Sequence, residues 1–254
     1  MHVVSDIHLD HRPQLYELPV TDAQYLALPG DIAQLKPQSL STYRHFLQTI
    51  CKRYKMVFIV CGNHEFFGSI FPGAIDLLRE LCASIGNVMV LEKDYYDIPD
   101  TSWRVMGCTL WGSIPPEHVL QLTMQLNDFV LIMIDDQGHR FTVARSNQEH
   151  DARDAWIKSQ LDECKRIGKK AVIITHHCPF YESKPTPSNG MTCGYCSDLT
   201  SLMDPTVIRM WLYGHTHRSR RKDINGVPVI SNQCGYPDRK RPDTKYDPSF
   251  TISL

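Results

Sequence analysis

The strongest constraint on the fold is an alternation of short apolar runs with longer amphipathic stretches. β-rich runs occur at Val3–Ser5, Tyr25–Leu28, Met56–Cys61, Val88–Leu91, Arg104–Met106, Ala171–Thr175, Met210–Tyr213, Val227–Ser231 and Phe250–Leu254. Between them, Ser39–Tyr54 places Tyr43, Phe46, Leu47 and Ile50 at i, i+3, i+4 and i+7, one face of a helix. Pro72–Ile85 opens with a proline and stops at Gly86, and Asn147–Ile167 stops at Gly168. Asn225-Gly226 between β-like runs predicts a hairpin. This pattern predicts an α/β fold around a largely buried sheet. No internal repeat, low-complexity tract or Pro/Ser linker interrupts the chain, so one domain over residues 1–254 is expected.

Polar motifs sit where predicted strands end. Asp6-Ile7-His8 follows Val3–Ser5, and Gly30-Asp31 follows Tyr25–Leu28. Gly62-Asn63-His64-Glu65 follows Met56–Cys61, and His176-His177 follows the strand ending at Thr175. Gly214-His215-Thr216-His217 follows Met210–Tyr213. Residues i and i+2 leaving a strand point to one side, so Asp6 and His8, or His215 and His217, can share one ion. In α/β sheets, sites collect beyond the carboxyl ends of the strands. Each motif alone is weak, and a bare Gly-Asp is usually a turn. Five in order, each after a strand, point to a common centre.

The chain is rich in two metal-ligand residue types, with 12 His and 9 Cys. Most cysteines stand singly in apolar stretches (Cys51, Cys61, Cys82, Cys108 and Cys164), which suits buried reduced thiols and a cytoplasmic location. Cys193-Gly194-Tyr195-Cys196 is a C-x-x-C near Cys178, but no second pair completes a structural zinc site. A loop with free thiols is expected there, and a thiol–disulfide switch is the alternative. His2, His11, His45, His118, His139 and His150 lack motif context and are expected in surface or hydrogen-bonded structural roles. Glu65 is expected to be a structural acceptor. No apolar run is long enough for a membrane span.

The ordered set Asp6-x-His8, Gly30-Asp31, Gly62-Asn63-His64-Glu65, His176 and Gly214-His215-x-His217 resembles the calcineurin-like metallophosphoesterase superfamily. The resemblance runs from the first strand to about Tyr236, and Thr109-Leu110-Trp111 and Asn127-Asp128-Phe129 are similar to features of a branch of small members. It implies a sandwich of two mixed β-sheets flanked by helices, a four-layer αββα arrangement. It implies that Asp31 bridges two divalent ions. Asp6, His8 and His217 would complete one, and Asn63, His176 and His215 the other. Imidazole, carboxylate and amide ligands suit manganese, taken first, or iron, zinc, cobalt or nickel. A metal-bridging hydroxide would attack phosphorus in line, with His64 as the catalytic group that protonates the leaving oxygen or neutralises charge. Some family phosphatases carry an Asp three residues after the bridging Asp that orients this histidine. Here that position is Gln34, so a backbone carbonyl or another carboxylate is expected to orient His64.

The expected function is therefore a metal-dependent phosphoesterase acting on a phosphomonoester or phosphodiester. A nuclease or cyclic-nucleotide phosphodiesterase on the same site is the first alternative, and a non-catalytic scaffold the second. The net charge of −1 gives no global field toward nucleic acid or membrane. Gly214–Lys245, however, holds eight Lys and Arg against three Asp. That local charge would favour an extended anionic partner such as a nucleotide or nucleic acid. Two irregular segments, 178–197 and 236–248, are expected near the site. Tyr181, Met191 and Tyr195 would offer apolar or aromatic contacts to substrate.

Overall fold

A computed structural model describes residues 1–12, 16–182, 185–186, 190–238 and 245–254. The strands are β1 (His2–Val3), β2 (Tyr25–Pro29), β3 (Met56–Val60), β4 (Val88–Val90), β5 (Asp94–Asp97), β6 (Trp103–Cys108), β7 (Lys170–Thr175), β8 (Ile208–Leu212), β9 (Arg220–Ile224) and β10 (Val227–Ser231). The helices are α1 (Pro37–Ile50), α2 (Gly73–Ala83), α3 (Val119–Gln125), α4 (Asp128–Leu131), α5 (Val143–Ile167) and α6 (Thr192–Tyr195). One sheet has four strands in the order β1-β2-β3-β4, and the other six in the order β5-β6-β7-β8-β10-β9. The first sheet is parallel throughout, so only the second is mixed.

Alternate residues of each strand face different layers, and this builds the sandwich. Leu26, Leu28, Val57, Ile59, Val88 and Val90 pack with Tyr43, Phe46, Leu47 and Ile50 of α1 and Ile75, Leu78 and Leu81 of α2. The opposite faces carry Val3, Ala27, Phe58 and Val60, which meet Val105, Val172, Ile174, Met210, Leu212 and Ile230 of the second sheet. Behind that sheet, Met106, Ala171, Ile173, Trp211 and Val229 pack with Ile157, Leu161 and Cys164 of α5. The layers are thus helix, sheet, sheet, helix.

Several expectations shift at their edges. The third helix starts at Val143 rather than Asn147, because the Thr142 side chain accepts the Arg145 N–H and caps it. The Asn225-Gly226 turn joins β9 and β10 with Ile224 opposite Val227. The strand expected at Phe250–Leu254 reduces to a single bridge between His2 and Thr251. β5 and β9 were absent from the expected strands. Both are polar edge strands without an apolar run. No helix among the described residues is long and apolar enough to cross a membrane.

The parallel strands β1, β2, β3, β7, β8 and β10 deliver their carboxyl ends to one edge of the sandwich. A parallel bridge between Ser5 and Gln233 stitches the two sheets there. The Asn232 carbonyl accepts the Ser5 N–H at 3.1 Å, and the Asp6 carbonyl accepts the Gly235 N–H at 2.9 Å.

Candidate metal and phosphoester site

Two groups of ligand-type atoms meet at that edge, and Asp31 belongs to both. Asp6, His8, Asp31 and His217 form one group, and Asp31, His176 and His215 the other. His8 Nε2 lies 3.0 Å from His217 Nε2 and 3.8 Å from Asp31 Oδ2. Asp6 Oδ1 is 3.4 Å from His217 Nε2. On the other side, His176 Nε2 lies 3.3 Å from Asp31 Oδ1, 3.0 Å from His215 Nδ1 and 3.1 Å from Asn63 Oδ1. The two carboxylate oxygens of Asp31 therefore face different groups.

The donor chemistry fits cations. His176 Nδ1 lies 2.8 Å from the Pro29 carbonyl, so it carries the proton and Nε2 is left as a lone pair. Asn63 donates its Nδ2 hydrogen to Asp128 at 2.8 Å, which turns Oδ1 toward His176. A lone pair then faces an amide oxygen that has no proton to offer it, and an oxygen of Asp31. A cation resolves that arrangement. Asp31 is 1 % exposed, and burial, then the carboxylates of Asp6 and Glu65, push its carboxyl well above the usual range. Burial and neighbouring imidazoles hold His8 and His215 well below the ordinary histidine range, and burial holds His176 down at about 4. Neutral imidazole is the ligand form.

The backbone is strained at these positions. Asp6, His8, Asp31, His215 and His217 have φ of 55°, 50°, 54°, 72° and 51°. Non-glycine residues seldom adopt this left-handed region, and such strain concentrates at functional sites. Glu65 holds the turn after β2. Its Oε2 accepts the Asp31 N–H at 2.9 Å and the Gly62 N–H at 2.7 Å, and its Oε1 accepts the Ile32 N–H at 2.8 Å. It is the structural acceptor the sequence implies. Burial pushes its carboxyl up to about 7, against the pull of those donors. Gly62 is a close-approach position, where a Cβ would lie 2.1 Å from Asp31 Oδ1. Gly62→Ala is expected to displace Asp31 and lower turnover at least tenfold, about 1.4 kcal/mol of barrier. Metal analysis and steady-state rates check this, and wild-type values for both would contradict it.

His64 stands beside the two groups rather than in them. Its Nε2 lies 2.9 Å from the Tyr236 hydroxyl and 4.0 Å from Asp31 Oδ2, and its N–H donates to Asp31 Oδ1 at 2.9 Å. The expected carbonyl or carboxylate partner is not found among the described residues, since Nδ1 is buried without a hydrogen bond. A ring nitrogen of His64 instead lies within 4.8 Å of Asp10 and His11. Asp10 accepts the Gln34 N–H at 3.3 Å, so a carboxylate approaches this corner from the β1 side of the site. Tyr236 opens the 236–248 segment expected near the site, though no role was expected for it. Its ring stacks on His8 with centroids 4.3 Å apart and 27° between planes.

Of the histidines without motif context, His2 and His150 are buried and bonded, to Tyr54 and Pro248 and to the Trp111 carbonyl respectively. His139 pairs with Asp135 on the surface. His11 differs by lying against the site. His177 donates from Nδ1 to the Thr109 carbonyl at 3.1 Å and packs on His215 with centroids 4.3 Å apart. Cys178, Cys193 and Cys196 are free thiols, the state expected of this loop, and a parallel bridge sets Cys196 opposite Cys178.

A cavity of about 530 Å³ opens over both groups. Phe67, Leu126, Met191 and Tyr195 line one part of it, and Arg218 and Arg220 another. Met191 and Tyr195 thus lie where expected, whereas Tyr181 packs into the core behind the second sheet. Glu182 sits among the basic residues, 3.7 Å from Arg218, 3.4 Å from Arg220 and 3.8 Å from Lys222. Arg221 alternates to the other face of β9 and is exposed. Arg239, Lys240 and Arg241 lie outside the described residues, as do parts of 178–197.

The geometry agrees with comparison to known proteins. Residues 2–219 match the family model for calcineurin-like phosphoesterases. Uncharacterized protein L509 of Acanthamoeba polyphaga mimivirus is 28% identical over 260 residues, covering 92% of this chain and 90% of that protein. The crystal structure of phosphopantetheinyl hydrolase (PptH) from Mycobacterium tuberculosis superposes with a TM-score of 0.72 at 17% identity, covering 99% of this chain and 97% of that one. NAD nucleotidase (NadN) of Haemophilus influenzae overlaps more loosely, with a TM-score of 0.46 at 10% identity over 92% of this chain and 44% of that one. The match over most of the chain, joined to the paired ligand groups around Asp31, places this protein among the calcineurin-like phosphoesterases, as a metal-dependent phosphoric ester hydrolase.

Proposed function

We propose that this chain hydrolyses a nucleotide-type phosphoester at a two-ion centre bridged by Asp31. The observation that carries the reading is the division of the Asp31 carboxylate, with one oxygen toward His8 and the other toward His176. Asp6, His8 and His217 would hold one ion, and Asn63, His176 and His215 the other. Two divalent cations supply an acidified water as nucleophile and neutralise phosphoryl charge, and manganese suits these nitrogen and oxygen donors. The protein's part is to fix that geometry. Glu65 clamps the Asp31 turn, and the Pro29 carbonyl sets the His176 tautomer. His64, on the cavity wall, gives the leaving oxygen a proton or a hydrogen bond. Tyr236 meets His64 Nε2 through its hydroxyl, and the leaving oxygen would take its place there.

The cavity walls support this substrate class. Arg218 and Arg220 suit a second anionic group on the leaving side, and Phe67, Leu126, Met191 and Tyr195 suit a flat or apolar body. A nucleotide combines both features. Glu182 offsets part of the basic charge, which favours a compact anion over a long polyanion. Buried free thiols favour a reducing compartment such as the cytoplasm.

The test is a manganese-reconstituted panel: an aryl phosphomonoester, an aryl phosphodiester, nucleotides, cyclic nucleotides, oligonucleotides and a phosphopantetheinyl carrier protein. The highest kcat/KM is expected on a nucleotide ester. Arg218→Ala with Arg220→Ala should raise KM for that substrate about tenfold, more than for the aryl ester, and flatten its salt dependence. Unchanged KM and salt dependence in the double variant would remove the basic wall from substrate binding.

A further inference from the structure

We infer that Asp128 is a positioning residue for the second ion, acting solely through the amide of Asn63. The inference rests on the two-ion reading above. Asp128 opens α4, 65 residues beyond Asn63 in the chain, and is 5 % exposed. Its Oδ1 accepts the Asn63 Nδ2 hydrogen at 2.8 Å. A primary amide can present either its oxygen or its nitrogen to a neighbour, and the two ends differ little in shape. Only the oxygen is a metal ligand. A buried acceptor at the nitrogen end selects the orientation in which Oδ1 faces His176 Nε2, 3.1 Å away.

The pairing does more than orient. An anionic acceptor on the N–H polarises the amide and strengthens the oxygen as a ligand, as buried carboxylates do for metal-bound imidazoles. Burial raises the Asp128 carboxyl to about 6, and the hydrogen bond from Asn63 draws it back down. Asp128 is itself outside both ligand groups. The segment that carries it is anchored independently of the site. The Gly68 N–H donates to the Leu131 carbonyl at 3.0 Å, and the Phe71 N–H to the Met133 carbonyl at 2.7 Å. Asn63 and Asp128 thus sit on two segments held to each other by backbone bonds, which keeps the acceptor in place whether or not an ion is bound.

The test is a metal-binding cycle on the full chain with Asn63→Ala, Asp128→Ala and the double variant. Each metal-free protein is titrated with Mn²⁺, and bound ions are counted by dialysis and elemental analysis. Wild type is expected to bind two ions. Asp128→Ala should weaken the second by roughly 10–100-fold and leave the first unchanged. In the Asn63→Ala background, removing Asp128 should have no further effect, because its partner is gone. Asp128→Asn, which keeps an acceptor oxygen, should restore binding to within about tenfold of wild type. Melting of the metal-free variants reports folding. Should Asp128→Ala not fold, Asp128→Asn decides, since loss of the second ion there overturns the acceptor role. Two ions at wild-type affinity in folded Asp128→Ala, or additive effects in the double variant, overturn the inference. Fewer than two ions in wild type instead overturns the two-ion reading beneath it.

Discussion

Asp31→Asn is expected to leave the chain folded while removing at least one of the two ions proposed for it and about 10³-fold or more of its turnover, near 4 kcal/mol of barrier. Asparagine keeps the size of Asp31 and the acceptor for the His64 N–H. What it loses is one of two anionic oxygens, one facing His8 and the other His176. One amide oxygen cannot serve both sides. Stability should move the opposite way. In the metal-free chain, burial and the carboxylates of Asp6 and Glu65 raise Asp31 above its ordinary value of 3.8. A carboxyl raised on folding holds its proton more tightly in the native state. Its stabilising contribution is complete below about pH 4 and is lost as pH rises toward the raised value. The metal-free wild type should therefore lose stability over that interval, and metal-free Asp31→Asn should lose less. Thermal melting with chelator across pH checks this. A variant with two ions and full activity would sink the bridging role.

His64→Ala should give the complementary phenotype, with both ions retained and turnover reduced by about 10²–10⁴-fold. His64 lies in neither Asp31-sharing group, and its nearest approach to Asp31 through the ring is 4.0 Å. Burial and the neighbouring imidazoles of His176, His11 and His217 hold it well below the ordinary histidine range. A neutral ring of this kind assists a leaving oxygen most when that oxygen is basic. The loss should be larger on an alkyl phosphoester than on an activated aryl one. Equal losses on both substrates would assign His64 to charge neutralisation, and wild-type turnover would remove it from the reaction.

The residues proposed as ligands were legible as one cluster because parallel strands end at one edge of a sheet. Each strand end contributed a short polar motif in the sequence, and the apolar run before it fixed its direction. The parts whose roles the sequence left open lack such a frame. Tyr236 reaches His64 across 172 positions, and it does so because Ser5 bridges Gln233 and brings the two sheets together. Asp128 reaches Asn63 from a four-residue helix too short to show a period. β9 is Arg-Arg-Lys-Asp-Ile, an exposed edge held by its hairpin partner rather than by burial. The left-handed backbone at Asp6, His8, Asp31, His215 and His217 is invisible in sequence, because no glycine marks it. The loop's free thiols were expected, but spacing alone does not show that the chain turns through α6 and presents Cys196 to Cys178.

The central claim is that Asp31 joins two ions, and the most direct measurement is a Mn²⁺ titration of the metal-free wild type followed by electron paramagnetic resonance. Two ions per chain sharing a carboxylate at roughly 3.5–4 Å should give an exchange-coupled spectrum as the second equivalent binds. Saturation at one ion per chain, or two ions with the spectrum of isolated Mn²⁺, would contradict it.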